Sequence, residues 1–580
     1  MPTPPIARAA DGYFHPADEG EVIALVNYAR LNNRQVRARG ASHSVALSIY
    51  TDPVDGKPAN KTLERRPPAG ENIDIAFNRM KALNWIDRDA GIVEAEPGLH
   101  LGQDPSDPFG VSTLEESFLH KIFVEGWAVD GVGGITHQTV AGFTATGSAG
   151  GSIIHTFDNV TAYRMVDGLG SASWIERGDP DFGAMLTHVG LLGVVTKLRF
   201  QLVPKYNIQG TEITTTTGAD CPIDLFGAGD GARPSLQKYL TEQPYSRMTW
   251  WPQHGCERVQ IWQASRVPAS DVGLVPYQEF TPDLAGQAKQ LVASLFFVLL
   301  GNRSLGRIFH LLLKNIAQFR RNVAGLWSRG SLGAAGAMLA WLPAVMGGLV
   351  LGLAGLILGS VPGTMQRLFT TLLPVFNPLT KAHPPTRFSD RYWRSLCMDN
   401  TADDVLLGTE FTEIWLPIQH TQQVMNLLQG MFDAKGTAAT GFFALEVYAG
   451  APSPAWINPG YSDGTDAYKD GVSRFDIYWY RDNPGTPNTA HAFFTQYWDL
   501  LRAHQIPFRF HWGKFIPFYD FPGWAKFYAE NLPRLADFLA LRAKRDPAGI
   551  FFTEYWQLRL TGEAKALTGA EGTVQKLGST

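Results

Sequence analysis

Two short stretches of this chain combine residue types that can hold a reactive ligand. The first is Arg37-Ala38-Arg39-Gly40-Ala41-Ser42-His43-Ser44, in which a strand-like run stops at a glycine and one histidine follows between two serines. The second begins at Gly131 and holds Gly133, Gly134, Gly142, Gly147, Gly150 and Gly151. So many glycines suit neither a helix nor a strand interior. They let backbone N–H groups approach an anion that a Cβ would keep away, as a pyrophosphate cradle requires. The run is not G-x-G-x-x-G between a strand and a helix, and no Gly-Lys-Ser/Thr closes it, so neither the Rossmann fingerprint nor a Walker loop is present. A glycine-rich surface loop is the alternative. Taken alone, His43 reads as a solvated loop residue. Cys221, Cys256 and Cys397 are far apart and odd in number, which gives no metal spacing and no disulfide framework. No metal site is expected.

The elements that must position these stretches are legible in outline. Residues 18–33 read as a helix, with Asp18 as cap, Glu19 and Glu21 at its positive end, and Val22, Leu25, Val26 and Ala29 as an apolar stripe. Gln35–Arg39 alternates as a strand. Arg88-Asp89-Ala90-Gly91 separates two alternating runs, a hairpin signal whose second strand leads to Gly98. A strand over Gly193–Leu202 closes the region and Pro204 ends it. The first two hundred residues therefore read as α+β. From about 205 to 500, runs such as "SRMTWWPQ", "RVQIWQAS", "GTEFTEIWLPIQ", "GFFALEVYAG" and "SRFDIYWYR" predict an aromatic-rich sheet, and the last part returns to short strands and turns. A chain of 580 residues exceeds one core and predicts at least two domains. The formal charge of −4 offers no basic excess for nucleic acid. The N-terminus has no basic region followed by an apolar core, so no secretory signal is expected.

One segment departs from this soluble composition. Gly330–Gln366 carries no charge, and its Ala344–Val361 portion is 18 residues, the lower edge of a membrane-spanning length. Upstream, Arg303, Arg307, Lys314, Arg320 and Arg321 alternate with Leu305, Ile308, Leu312 and Ile316, the composition of a helix lying in a membrane interface. The expectation is membrane-surface contact through an insert at 285–370, on the cytoplasmic side, with a hairpin of two spans, a buried apolar helix or a dimer seam as alternatives. Oligomeric state is left open.

In order and content these features resemble the flavoproteins with the vanillyl-alcohol-oxidase (PCMH) type of FAD-binding domain, nearest the aldonolactone (gulonolactone and arabinonolactone) and alditol oxidase branch. The match runs over Gly40, Ser42, His43 and Ser44; over Thr139, Val140, Gly142, Thr146, Gly147 and Ser148; over "HVGLLGVVTKLRF"; over "FTEIWLP"; and over His511-Trp512-Gly513-Lys514 and "RDPAGIFFTEYW". Ala149 stands where the family often has a second histidine. The resemblance implies FAD held by Arg39, Gly40, Ala41, Ser42, His43, Ser44, Gly98, Thr139, Gly142, Thr144, Thr146, Gly147, Ser148, Gly151, Val194 and Val195, with His43 as its covalent attachment point. It implies an FAD-binding domain at 10–205, a substrate domain at 206–504 carrying the insert, a segment at 505–560 that completes the site, and a flexible tail at 561–580.

Oxidising an alcohol with a flavin moves a hydride from carbon while the hydroxyl loses a proton, so a base and a stabilising cation are needed. The resemblance offers Lys514 as cation, His511 to place substrate or flavin, and Glu446, the first member of the family's E-x-R pair. Tyr448 replaces the arginine of that pair, which leaves room for a less polar alcohol. Three functions follow: oxidation of a sugar lactone or polyol, with oxygen or another electron acceptor; the same chemistry on a sterol-like alcohol from a membrane; and a flavin-free membrane-binding protein on a degenerate fold.

Overall fold

Asp18 starts the first helix by accepting the Glu21 backbone N–H, and that helix, α1 (Glu19–Leu31), buries Val22, Leu25, Val26 and Ala29 as its apolar stripe requires. The computed structural model describes residues 3–51, 70–104, 107–277, 385–398, 409–441, 444–480 and 490–564, with scattered positions between 367 and 382. After α1, β1 (Val36–Arg39) pairs in parallel with β2 (Ile73–Ala76). The predicted hairpin is β3 (Leu83–Asp87) and β4 (Ile92–Ala95). The glycine run contains α2 (Val140–Ala145), capped by Thr139, whose Oγ1 accepts the Gly142 N–H. Strands β5 (Val160–Val166), β6 (Ala172–Glu176) and β7 (Val194–Gln201) complete an antiparallel sheet ordered β3-β4-β7-β5-β6.

A second, larger antiparallel sheet follows. Its strands are β8 (Tyr206–Thr215), β9 (Tyr245–Trp251), β10 (Arg258–Pro268), β11 (Thr386–Arg391), β12 (Thr409–Pro417), β13 (Leu445–Gly450), β14 (Val472–Tyr480) and β15 (Arg509–Phe510). Among the described residues their order is β11-β8-β10-β9-β13-β14-β12-β15. The long helices α3 (Thr421–Lys435) and α4 (Ala490–Ala503) belong to this part of the chain. Past β15 the chain forms α5 (Phe521–Asn531) and α6 (Glu554–Thr561) and returns to its beginning. Val36 N–H donates to Ile550 O at 2.8 Å, and the Trp556 indole N–H donates to Ser48 O at 3.1 Å. Asp546, fully buried, accepts the N–H groups of Ile550 and Phe551 and fixes the turn that makes this return.

Three local expectations differ from the fold. Between 205 and 500 strand segments and an apolar helical insert at 285–370 were expected, yet outside that insert Val424, Met425, Leu428, Met431 and Phe432 form the buried stripe of α3, a 3.6-residue period among polar neighbours. Residues 554–561 are helical where strands and turns were expected, with Glu554 in the first turn, Arg559 in the last, and Tyr555, Trp556 and Leu560 buried. Pro204 does not end the extended chain. Val203–Pro204 pairs with Trp127–Ala128, and β8 starts two residues later. The mixed α+β class and its antiparallel sheets agree with the sequence reading.

Most of the apolar insert and residues 565–580 of the tail lie outside the described residues. Among the described residues no helix is long and apolar enough to cross a membrane.

Trp556 is 1% exposed and ties α6 to the short helix Ala46–Ile49 that follows the turn after β1. Replacing it with alanine should cost about 3–5 kcal/mol through the cavity and the lost hydrogen bond. Chemical denaturation of the variant checks this, and a midpoint equal to the parent's would contradict it.

Candidate active site

A cleft between β1, the turn after it, α2 and the start of β7 encloses about 840 Å³ of empty space, part of it open to solvent. One lip is the turn from Gly40 to Ser44. Ser42 adopts a left-handed φ of 65°, and Arg39 braces the turn by donating to Gly40 O at 2.9 Å and Ser42 Oγ at 3.1 Å. Gly40 lies on Thr139, where a Cβ would stand 2.4 Å from Thr139 Oγ1, so only glycine allows this close approach. His43 is 9% exposed, its ring centroid 5.8 Å from that of His137. It is a buried residue and not a solvated one.

The opposite lip is His188-Val189-Gly190, in which Val189 takes a φ of 43°. Arg37, buried, supports it by donating to Val189 O at 2.9 Å and Gly190 O at 3.2 Å. His188 Nδ1 accepts the Gly190 N–H at 3.0 Å, which puts the ring proton on Nε2. Burial, with Arg37 and Arg545 nearby, pushes His188 down to about 3, so it is neutral. Its Nε2–H is buried with no partner among the described residues. A buried donor without a partner at a cleft wall fits a ligand rich in acceptor oxygens.

The cleft connects directly to the larger sheet. Val45 N–H donates to Gly513 O at 3.0 Å, so the segment that carries His43 is bonded to the turn that carries His511 and Lys514. That turn is bonded in its own right to β12, with His511 N–H donating to Glu413 O at 3.1 Å and Phe515 N–H to Phe411 O at 3.0 Å.

Cross-strand pairing then defines one polar face. Glu446 is opposite Asp476, which is opposite Glu413; in the next row Tyr448 is opposite Arg474, which is opposite Trp415. Directly paired residues share a face and alternate positions along each strand repeat it. Arg474 is 1% exposed, and each of its nitrogens donates within the protein: Nε and Nη2 to Glu413 Oε1, Nη1 to Gly150 O at 2.8 Å, and Nη2 to Ala149 O at 3.1 Å. Its guanidinium lies 4.8 Å from the Trp415 ring and 4.9 Å from the Tyr448 ring. A cation therefore stands one strand away from position 448, where the E-x-R pattern would have put it.

Glu446 Oε2 accepts hydroxyls from Tyr448 at 2.6 Å and Tyr478 at 2.9 Å. The Lys514 ammonium sits 3.9 Å above the Phe411 ring, itself stacked on Tyr478 at 4.7 Å. Burial disfavours the Glu413 charge, but His511, Arg474, Lys514 and the Trp415 indole N–H outweigh it and hold this carboxyl below its ordinary range. Burial pushes His511 down to about 4; Glu413 opposes this, and Lys514 and Arg474 reinforce it. His511 Nδ1 accepts the Gly513 N–H at 3.2 Å, leaving a buried Nε2–H with no partner among the described residues.

Of the residues expected to hold a cofactor, Arg39, Gly40, Ala41, Ser42, His43, Ser44, Thr139, Gly142, Thr146, Val194 and Val195 line the cleft. Gly98, Thr144, Gly147, Ser148 and Gly151 are not among its lining residues. Gly98 shares a smaller neighbouring pocket with Arg39 and Gly40, and a Cβ there would meet Phe77 O at 1.9 Å. Thr144 bonds the Val140 carbonyl inside α2, Ser148 meets Thr146, Gly147 packs on Asn458, and Gly151 meets Ser246. Lys514, His511, Glu446 and Tyr448 gather at the polar face. Sequence reasoning missed His188, Arg37, Glu413, Arg474 and Asp476. The last three carried a usable signal, since charged residues at alternate positions of aromatic strands point into a site more often than into a core.

No family model matches this chain. It is 28% identical over 211 residues to the D-arabinono-1,4-lactone oxidase of Saccharomyces cerevisiae, covering 35% of this chain and 34% of that protein. It is 22% identical over 260 residues to the L-gulonolactone oxidase of Scyliorhinus torazame, covering 44% and 48%. The matches thus span about a third to a half of these curated relatives. Among solved structures, a solvent-stable cholesterol oxidase matches with a TM-score of 0.58 at 16% identity, covering 94% of each chain. Cholesterol oxidase from B. sterolicum matches with a TM-score of 0.58 at 15% identity, covering 97% of this chain and 99% of that one. The relatives carry the names that the sequence resemblance pointed to, and the fold is that of the cholesterol oxidases.

Arg474→Ala should destabilise the protein by about 3–5 kcal/mol, because it leaves Glu413 charged and buried and frees two loop carbonyls. Glu413 gives a pH test. Its folded value is depressed, so its contribution is present above the ordinary glutamate range and lost as pH falls through the lower folded value. Thermal unfolding of Glu413→Gln should therefore lose part of the acid-side slope seen in the parent.

Proposed function

We propose that this protein is an FAD-dependent oxidoreductase acting on an alcohol carbon of a sugar lactone or polyol, with the flavin attached through His43. The observation that supports it best is the Val45–Gly513 hydrogen bond, which joins the His43 segment to the turn bearing His511 and Lys514 at one polar face. The named lactone oxidases among its relatives favour the same reading. Residues 10–205 and 505–560 would hold the cofactor and 206–504 the substrate. Arg39–Ser44, Thr139, Gly142, Thr146, Val194 and Val195 would hold FAD, with Gly98, Thr144, Gly147, Ser148 and Gly151 shaping the loops behind them.

When bound, FAD supplies the hydride acceptor and passes electrons to oxygen or another acceptor. The chain supplies the rest. Glu446, with two tyrosine hydroxyls on one oxygen, accepts the proton of the substrate hydroxyl through its carboxylate. Lys514 and the neutral His511 offer donors for negative charge developing nearby. Tyr448 and Tyr478 fix Glu446 and exclude water. A lipophilic alcohol is the second reading, favoured by the stacked Phe411–Tyr478 pair and by the fold neighbours. Membrane-surface contact through residues 285–370 would suit that substrate, and abundant full-length protein in a salt-washed soluble fraction without detergent would count against it.

Peroxide formation or dye reduction with a panel of lactones, polyols and sterols tests the substrate class; turnover of sterols alone would sink the first reading. His43→Ala should release its flavin on acid or heat treatment, whereas flavin that stays bonded refutes the tether. Lys514→Met should lower kcat by about 10²–10⁴ with the flavin retained.

A further inference from the structure

Three carboxylates stand in one cross-strand row, Glu446 on β13, Asp476 on β14 and Glu413 on β12. Directly paired side chains have Cβ atoms about 4.5–5.5 Å apart, and buried like charges at that spacing do not ionise together. The outer two have donors. Glu413 takes the Trp415 indole N–H at 2.7 Å and the Arg474 guanidinium, and Glu446 takes two tyrosine hydroxyls. Asp476 is 6% exposed, and its Oδ1 is buried with no hydrogen-bond partner among the described residues.

The charged and titratable groups around Asp476 are Glu446 and Tyr448 on β13, Arg474 and Tyr478 on its own strand, Glu413 on β12, and His511 and Lys514 on the turn after β15. Arg474 is committed to Glu413 and to the glycine loop. Burial first, then Glu413 and Glu446, push Asp476 well above the usual carboxylate range against the pull of Arg474 and Lys514.

We propose that Asp476 is a neutral carboxylic acid in the resting protein, and that its O–H holds an acceptor oxygen of the substrate against this face. The proposal rests on reading the face as the substrate site. It also fixes the charge of the site. With Asp476 uncharged, Glu413, Glu446 and Glu212 are matched by Arg474, Lys514 and Arg247, so the face suits a neutral polyhydroxylated substrate better than a sugar acid.

Infrared difference spectroscopy of the full-length holoprotein in D₂O, parent minus Asp476→Asn, reads the acid directly. A protonated-carboxyl C=O band is expected at neutral pH in the parent and absent in the variant. Thermal unfolding gives a second readout. A raised folded value means that the folded state holds a proton the unfolded chain has lost, so parent stability falls as pH rises from about 4 toward 7. Asp476→Asn removes that slope and should be at least as stable as the parent at pH 7. No band, together with a variant less stable at pH 7, would mean an ionised partner of Lys514 and would overturn the proposal.

The substrate arm compares two variants. Asp476→Asn keeps a donor and should leave KM within about threefold, while Asp476→Leu should raise KM about tenfold or more with a smaller effect on kcat. A band with no KM change in Asp476→Leu would also overturn the proposal, by making the acid structural. If the parent oxidises no alcohol, the proposed function fails, while the infrared and stability arms still judge the protonation of Asp476.

Discussion

The Arg474 guanidinium, buried where the glycine loop meets the larger sheet, is the contact on which the site depends. It reaches the Ala149 and Gly150 carbonyls with one side and Glu413 with the other. Without it the loop would present two carbonyls to a buried carboxylate, and the sheet face would carry an uncompensated charge. One cation therefore ties the cleft wall to the polar face, and its contact favours the charged form of Glu413. The Val45–Gly513 bond performs the same joining on the other side, from His43 to the His511–Lys514 turn. Two independent ties keep the two halves in one register.

Charge within this face follows from the pairing of strands. Antiparallel register places acids on three neighbouring strands in one row, and a cation between two aromatic rings in the next. Such a surface presents a mixture of acceptors and donors, and its like charges must be separated by neutralisation or by donors. Glu413 has its donors, Glu446 has the two tyrosines, and Asp476, on our proposal, has neutralisation. The tyrosine at position 448, which in sequence looked like a lost arginine, is a hydroxyl donor to Glu446 with a guanidinium beside it.

Much of this was legible in the sequence because local signals act over short range. The cap and stripe of α1, the β3–β4 hairpin and the strand into Val194 each follow from spacing and turn chemistry. The turn from Gly40 to His43 and the His511–Lys514 turn were also recognisable, both through resemblance to a family pattern. What was not legible depends on which strands become neighbours. Arg474, Asp476 and Glu413 are separated by up to sixty-odd residues, and only the order β13-β14-β12 brings them together. His188 was hidden for another reason. Its role rests on a strained turn held by Arg37, about 150 residues earlier, and on no local pattern. Helix α3 escaped because its stripe is interrupted by polar residues and surrounded by strands.

The central claim is that the cleft and the polar face act as one flavin-dependent site for a hydroxylated substrate. Anaerobic mixing of the purified protein with sugar lactones and polyols tests it most directly. The account predicts a yellow protein whose flavin absorbance bleaches on adding such a substrate and returns with oxygen or another electron acceptor. A colourless protein that takes up no flavin, or a flavin that no alcohol bleaches, would contradict it.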